Sequence, residues 1–501
     1  MREYLILGYA WFLEFCRKPL MLSDGTIKLI FIPGFNRIRC FNAKARAYDE
    51  FIKARRSVPG YRAFLKSKNF SKPSFSGIVP NIEEIPITDK ENYVKLYSMD
   101  ERCVHGKVPT TGVIIDESSG SSGTATNWAR GKKERARNSK FIKFGLHNLM
   151  GSEPVFIINA FALGAWATGI NITMSCEKFS MLKSLGPDKI KIENTLKKFG
   201  TAHKYIILGY PPFLKLLVDN SEIDWKAYNV SFIFGGESMS EGMRDYLLAK
   251  GIRKVYSSFG ASDLELNISS ENDFTISLRR LLRSNAPLRE RILKYTGALP
   301  MLFQYNPSDF LIESTDIGEL IITICRPDYI SPKVRYNIHD RGHVLQMKEL
   351  YAILKELHIS ETELIKPLTD LPILLHYGRA DMTVSFFGSN ISPTDVQEAL
   401  YNLPNLVNNV NSFCLNTVED KDGNKQFAVS FELQQNKSPA CIDLKKTQAE
   451  FFEQLTKTNQ DFREAKRMTT RADQTVIYIH DFGQGPFANS DIRIKSKYIS
   501  S

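Results

Sequence analysis

The chain has 501 residues, with 66 Lys plus Arg against 55 Asp plus Glu and a formal net charge of +11. Hydrophobic residues at 43% and charged residues at 24% supply a large core, which excludes an intrinsically disordered polymer. The basic balance suits an acidic partner (nucleic acid, a phosphate-rich small molecule or an anionic membrane face) without choosing among them, and the length fits about three domains or one large unit plus a smaller one.

The cysteines, Cys16, Cys40, Cys103, Cys176, Cys325, Cys414 and Cys441, are scattered and never spaced CxxC, which argues against a zinc ribbon or a thioredoxin-type redox motif. Their odd number, without a secretory-type leader, leads to the expectation of a reducing, cytoplasmic compartment. Residues 4–13 (YLILGYAWFL) are apolar but too short to span a bilayer, and Glu14 follows at once. A helix packed on the main body is expected there, an amphipathic surface segment being the alternative.

A strand over 112–116 precedes the run Ser118-Ser119-Gly120-Ser121-Ser122-Gly123-Thr124-Ala125-Thr126. Small hydroxyl and glycine residues in succession can surround phosphate oxygens with N–H and O–H donors, or form a flexible linker. The pattern is not GxxxxGK[ST], so a P-loop is excluded. Arg130, Lys132, Lys133, Arg135, Arg137 and Lys140 follow, a cluster that could steer a phosphate ligand or contact nucleic acid; without interleaved aromatics or a nucleic-acid motif, a solvated helix face is expected. Residues 155–174 carry no charge, but Asn159, Thr168, Asn171 and Thr173 interrupt them. They read as a buried strand running into a small-residue helix rather than a membrane span.

Apolar runs at 204–210, 230–234 and 254–258 alternate with helical stretches at 213–218 and 240–250, the latter N-capped by Ser240. Such runs imply a parallel sheet covered on both faces, with ligands bound outside the carboxyl ends of its strands. Gly235-Gly236-Glu237 and Phe259-Gly260 fall at those ends. A further strand is expected over 319–324. From Gly378 the pattern changes: a short helix with Pro393 at its first position, strands at 411–417 and 426–432 around a polar turn, an amphipathic helix over 442–466 and a last strand at 475–480. The class is therefore α/β, a large N-terminal unit (1–377) with mixed or parallel sheets and flanking helices, followed by a small α+β unit (378–501) of about 120 residues. No repeat of 20–50 residues is visible.

Four turns occur in order after the Ser/Gly run: Gly235-Gly236-Glu237, then Ser258-Phe259-Gly260-Ala261-Ser262-Asp263, then Arg335-Tyr336-Asn337-Ile338-His339-Asp340, then Gly378-Arg379-Ala380-Asp381. With Val58-Pro59-Gly60-Tyr61, Ile85-Pro86-Ile87-Thr88-Asp89-Lys90 and Gly388-Ser389-Asn390-Ile391-Ser392-Pro393, this series resembles the adenylate-forming ligases. The nearest resemblance is to the phenylacetate–CoA ligase branch and the related capsule-biosynthesis-type proteins.

The resemblance implies a role for each segment. Ser119, Gly120, Ser121, Ser122, Gly123 and Thr124 would hold phosphate, with Ala125 where proline is usual. Gly235, Gly236 and Glu237 would lie beside adenine, Phe259 would stack on it, and Gly260 and Ser262 would complete that turn. Asp263 stands in place of the family's magnesium-binding glutamate and is one methylene shorter. Asp340 would take the ribose hydroxyls, and Arg379 the ribose or phosphate. Asp381 would be the hinge about which a mobile small domain turns, with Met382 in place of a second aspartate. In the tail, Lys495 is favoured for the family's C-terminal lysine and Arg493 is next, a solvated basic tail being the alternative. Phe161, Leu163, Trp166 and Phe234 would line an acyl pocket or be plain core.

The implied reaction joins a carboxylic acid to ATP, with Mg2+, giving an acyl-adenylate that passes to a thiol, coenzyme A being expected. The alternatives are an amine, sugar or carrier-protein acceptor, or a binding or scaffold protein that has lost catalysis. A monomer or homodimer without nucleic acid or a transmembrane span is expected.

Overall fold

The computed structural model describes residues 1–117, 126–164, 167–295, 299–379, 384–386, 389–419, 425–459, 462–463, 466 and 475–488. Ser119, Gly120, Ser121, Ser122, Gly123, Thr124, Trp166, Asp381, Met382, Arg493 and Lys495 lie outside the described residues.

The protein is a mixed α/β structure built on a large sheet with flanking helices. A small antiparallel pair, β1 (Phe75–Ser76) and β2 (Val79–Pro80), comes first. A separate antiparallel pair follows, β3 (Val113–Glu117) and β4 (Asn127–Gly131), whose register closes with Glu117↔Asn127; the Ser/Gly run lies between the two strands in sequence.

The main sheet begins with β5 (Phe156–Asn159), β6 (Met181–Ser184), β7 (Lys204–Gly209), β8 (Asn229–Gly235) and β9 (Val255–Phe259), all parallel. It continues antiparallel through β10 (Ser269–Ser270), β11 (Met301–Tyr305), β12 (Phe310–Ser314), β13 (Glu319–Ile324), β14 (Tyr336–Leu345) and β15 (Ile373–Arg379). The spatial order is β12-β13-β14-β15-β11-β10-β9-β8-β7-β5-β6. Tyr205, Ile206, Ile207 and Leu208 of β7 are all buried, because helices cover both faces and no side of the strand is left for polar residues. The helix Pro211–Asp219 starts on its two prolines, and Ser240 caps Glu241–Ala249 by accepting from the Met243 N–H.

Strand β15 runs through Gly378 and Arg379, the first two residues of the segment assigned above to the small unit. Beyond it lie β16 (Val384–Phe386), β17 (Ser389–Ile391) and a sheet of β18 (Val410–Glu419), β19 (Lys425–Leu433) and β20 (Thr475–His480). These elements share a hydrophobic cluster of their own, built on Val396, Phe413, Phe427, Phe431, Phe451, Phe452 and Ile477. The helix expected over 442–466 is broken: Leu444–Thr458 ends at Asn459, and Phe462, Arg463 and Lys466 are helical again.

The first helix, α1 (Arg2–Leu20), packs on the body through Ile6, Ala10 and Arg17, the last ion-paired with Asp309 at 2.6 Å. No helix among the described residues is long and apolar enough to cross a membrane. Cys103, Cys176 and Cys325 are free and buried, and burial pushes the Cys176 thiol up to about 12, so it is inert at neutral pH.

Candidate functional site

The carboxyl ends of β7, β8 and β9 lie side by side, with Gly209 paired to Phe234 and Gly235 to Ser258. At these ends the chain needs glycine. Gly236 has φ +80°, and a Cβ there would sit 2.6 Å from the Tyr210 ring. A Cβ on Gly260 would lie 2.4 Å from the backbone of Leu266. The turns can therefore close tightly around a shared crevice.

That crevice is a cavity of about 590 Å³. Its lining includes Phe161, Phe234, Gly235, Gly236, Glu237, Phe259, Gly260, Ser262, Asp263, Asp340 and Arg379, whereas Leu163, also named for the acyl pocket, does not line it. Ser392, Pro393, Thr394 and Gln397 add a wall from the small unit. A hydrogen bond and an ion pair fix that wall: Ser240 N–H donates to Gln397 Oε1 at 2.7 Å, and Arg283 pairs with Glu398 at 2.5 Å.

A second wall comes from the antiparallel half of the sheet. Asp340 and Arg379 are direct register partners across β14 and β15. His376, three residues before Arg379, places Nε2 2.9 Å from Asp340 Oδ2. Its ring is tilted against Phe259 at a centroid distance of 4.4 Å, and Phe303 stacks on Phe259 at 5.9 Å. Asp263 accepts from the Tyr336 hydroxyl at 2.8 Å, and burial, then the Asp263 charge, push that phenol well above its ordinary value. Behind them Lys333 is buried with its ammonium 4.0 Å from the centre of the Trp128 ring. Burial, then the Arg102 charge, push it down to about 7.

The segment Ile85 to Lys90 is stitched to this wall. Thr88 N–H donates to Arg335 C=O at 3.0 Å and Asn337 N–H to Thr88 C=O at 2.8 Å, which brings Lys90 to the cavity. Arg335, at φ +45°, donates from its guanidinium to the carbonyls of Glu83 (2.7 Å) and Ile85.

Arg130 corrects one expectation. The basic run was expected to be a solvated helix face, yet Arg130 is buried in the β3–β4 pair. It donates to Asp116 Oδ2 at 2.7 Å, to Leu264 C=O at 3.0 Å and to Ser262 C=O at 2.5 Å. Asn171 also donates to Asp116. One guanidinium thus ties the strands that carry the Ser/Gly run to the turn that carries Asp263. Its neighbours are staples as well: Arg137 pairs with Glu14 and Asp328, and Lys140 donates to Met21 C=O at 2.9 Å.

Tyr210, Tyr336, His376 and Lys90 line the cavity without having been assigned a role from sequence. A signal existed for His376: a polar residue inside the apolar strand ILLHYGR must face either solvent or a site. Among the described residues no group of three His, Cys, Asp or Glu could hold a metal ion. Mg2+ is commonly held by one or two carboxylates together with substrate phosphates and water, and Asp263, a carboxylate in the cavity wall, fits such a donor set.

No family model and no curated protein matches the chain by sequence. Solved structures do match by fold. One is 2-hydroxyisobutyryl-CoA ligase in its postadenylation state with R3-HIB-AMP, at TM-score 0.67 and 12% identity, covering 94% of this chain and 90% of that one. The same enzyme with 2-HIB-AMP in the postadenylation state gives 0.64 at 13% identity over the same shares. With 2-HIB-AMP and CoA in the thioesterification state it gives 0.53 at 12% identity, again over 94% and 90%. The chain therefore has the fold of these adenylate-forming ligases along nearly its whole length.

Proposed function

We propose that the protein activates a carboxylic acid with ATP and passes the acyl group to a thiol, coenzyme A being the expected acceptor, as an enzyme of the phenylacetate–CoA ligase-like branch. The observation that carries this reading is the convergence of Gly235-Gly236-Glu237, Phe259 to Asp263, Asp340 and Arg379 on one cavity. The fold shared with a CoA ligase supports it.

In the first step a carboxylate oxygen attacks the α-phosphorus, the mixed anhydride forms, and pyrophosphate leaves. In the second a thiol sulfur attacks the acyl carbon, and AMP leaves with the bridging oxygen. The protein's part is to position the reactants and stabilise charge. Phe259 and the Gly235-Gly236-Glu237 turn would bound the adenine, and Asp340 would accept from the ribose hydroxyls. Arg379 would meet ribose or phosphate, and donors in the run Ser119 to Thr124 the β- and γ-phosphates. Asp263 would hold Mg2+, which supplies charge neutralisation on the phosphates when bound. Phe161, Phe234 and Trp166 would receive the acid's apolar part. Lys495, with Arg493 as the alternative, would stabilise the developing charge in the first step. Rotation of a domain 378–501 about Asp381 would then exchange that lysine for a thiol route. Higher similarity to the postadenylation than to the thioesterification state supports an arrangement on the adenylation side of that exchange.

A second reading, a protein of this fold without catalysis, is favoured by the partners that Asp340 and Asp263 already have in His376 and Tyr336. Acid-dependent exchange of pyrophosphate into ATP separates the two. Exchange without consumption of coenzyme A would point to an amine, sugar or carrier-protein acceptor.

A further inference from the structure

Eleven of the twenty-four large exposed hydrophobic side chains among the described residues fall within the first 38 positions. Six belong to α1 or its N-cap, and five of these, Tyr4, Leu5, Trp11, Phe12 and Phe15, together with Gly8, repeat at helical spacing. They form the face opposite Ile6, Ala10 and Arg17, which pack on the body. Tyr4 is 78% exposed, Trp11 69% and Phe15 58%, and the Trp11 and Phe15 rings stack on each other at 5.7 Å. Leu22, Leu29, Ile32, Phe35 and Ile38 extend the exposed apolar series along the next segment.

The charges of this region are arranged one way. Its acids are Glu3, Glu14 and Asp24, all partly buried and all ion-paired: Glu3 with Lys72, Glu14 with Arg46 and Arg137, Asp24 with Lys143 and His147. Its exposed charged side chains, Arg2, Lys18, Lys28 and Arg37, are all cationic.

We propose that this face docks the protein on an anionic lipid surface, with α1 lying in the interface plane. Trp, Tyr and Phe flanked by Lys and Arg are the composition that such a surface selects: the aromatic rings settle at the headgroup boundary while the cations meet lipid phosphates. The net charge of +11 adds long-range attraction to the same surface. A second copy of the chain is a poorer occupant, because a two-fold contact would set this cationic rim against itself with every local acid already paired.

The test is flotation of the full chain with vesicles of phosphatidylcholine alone or mixed with phosphatidylglycerol, together with Trp fluorescence. The chain has four tryptophans, of which Trp128 and Trp225 are buried, and a lipid-induced blue shift that disappears in W11F reports Trp11 rather than these or Trp166. The expected result is salt-sensitive binding to the phosphatidylglycerol vesicles with that blue shift. The double variant W11E/F15E should lower the partition coefficient about tenfold or more, and K28E/R37E severalfold, with unchanged melting temperatures, since all four side chains are exposed. No binding to phosphatidylglycerol vesicles, equal binding to both kinds, or binding unaffected by W11E/F15E overturns the proposal. So does a chain that ignores vesicles but changes from dimer to monomer in W11E/F15E, which would assign the face to a second copy.

Discussion

His376 Nε2 lies 2.9 Å from Asp340 Oδ2, on the wall of the cavity that also holds Phe259. The imidazole fixes the carboxylate that the proposed function assigns to the ribose hydroxyls, and its ring backs the aromatic assigned to adenine. Replacing His376 by Ala should loosen both contacts at once. The expected outcome is a rise in the ATP KM of about 10- to 100-fold, the worth of one hydrogen bond to a charged group, with a smaller change in kcat. Steady-state kinetics at varied ATP checks this; a variant altered in kcat alone would place His376 elsewhere in the reaction.

Arg130 is the second place where one side chain holds several parts. Removing it in R130A leaves Asp116 buried with Asn171 as its remaining side-chain donor and frees the carbonyls of Ser262 and Leu264. A loss of about 3–5 kcal/mol is expected, measured by urea unfolding. R130K should recover only part of it, since one ammonium cannot reproduce the planar fork.

Gly260 tests the tight turn. In G260A the new methyl group would lie 2.4 Å from the Leu266 carbonyl, so the backbone must move. A stability loss of about 1–3 kcal/mol is expected, with a larger loss in nucleotide affinity than stability because the shift falls at the cavity wall. Calorimetric binding of ATP beside the unfolding curve distinguishes the two.

Lys333 gives a pH dependence with a defined sign. Its folded-state value, about 7, lies below that of an unfolded lysine, so between those two values the unfolded chain binds more protons and stability rises with pH. Below about pH 7 the ammonium is charged in both states and its burial is a full penalty. K333M should therefore raise the unfolding free energy most below pH 7, by on the order of 2–4 kcal/mol, with the gain shrinking as the pH approaches the ordinary lysine range. A gain that grows with pH would contradict the assignment.

The parallel half of the sheet was legible because its strands are buried on both faces. An unbroken apolar run such as Tyr205 to Leu208 ending in a turn leaves few alternatives. The order of the glycine and acid turns located the cavity for the same reason, since ends of adjacent parallel strands must meet. Arg130 was misread because a local run of cations looks solvated, and its partners Ser262 and Leu264 are more than a hundred residues away. His376 and Tyr336 were missed as site residues because strand direction, not sequence spacing, aims them. The helix over 442–466 read as one piece because its periodicity continues past Asn459, where the structure breaks it before helical residues resume at Phe462. The outer face of α1 was half legible: the apolar run was plain, but which residues would be left uncovered depended on the body it packs against.

The central claim is activation of an acid by ATP in the cavity between β7, β8, β9 and the β14–β15 wall. Acid-dependent ATP–pyrophosphate exchange tests it most directly, run across aryl and medium-chain carboxylic acids with Mg2+. Exchange with at least one such acid, abolished by Asp340→Ala, is the predicted result. No exchange with any acid of the panel, from protein that melts cooperatively, would contradict it and leave a fold of this kind without the chemistry.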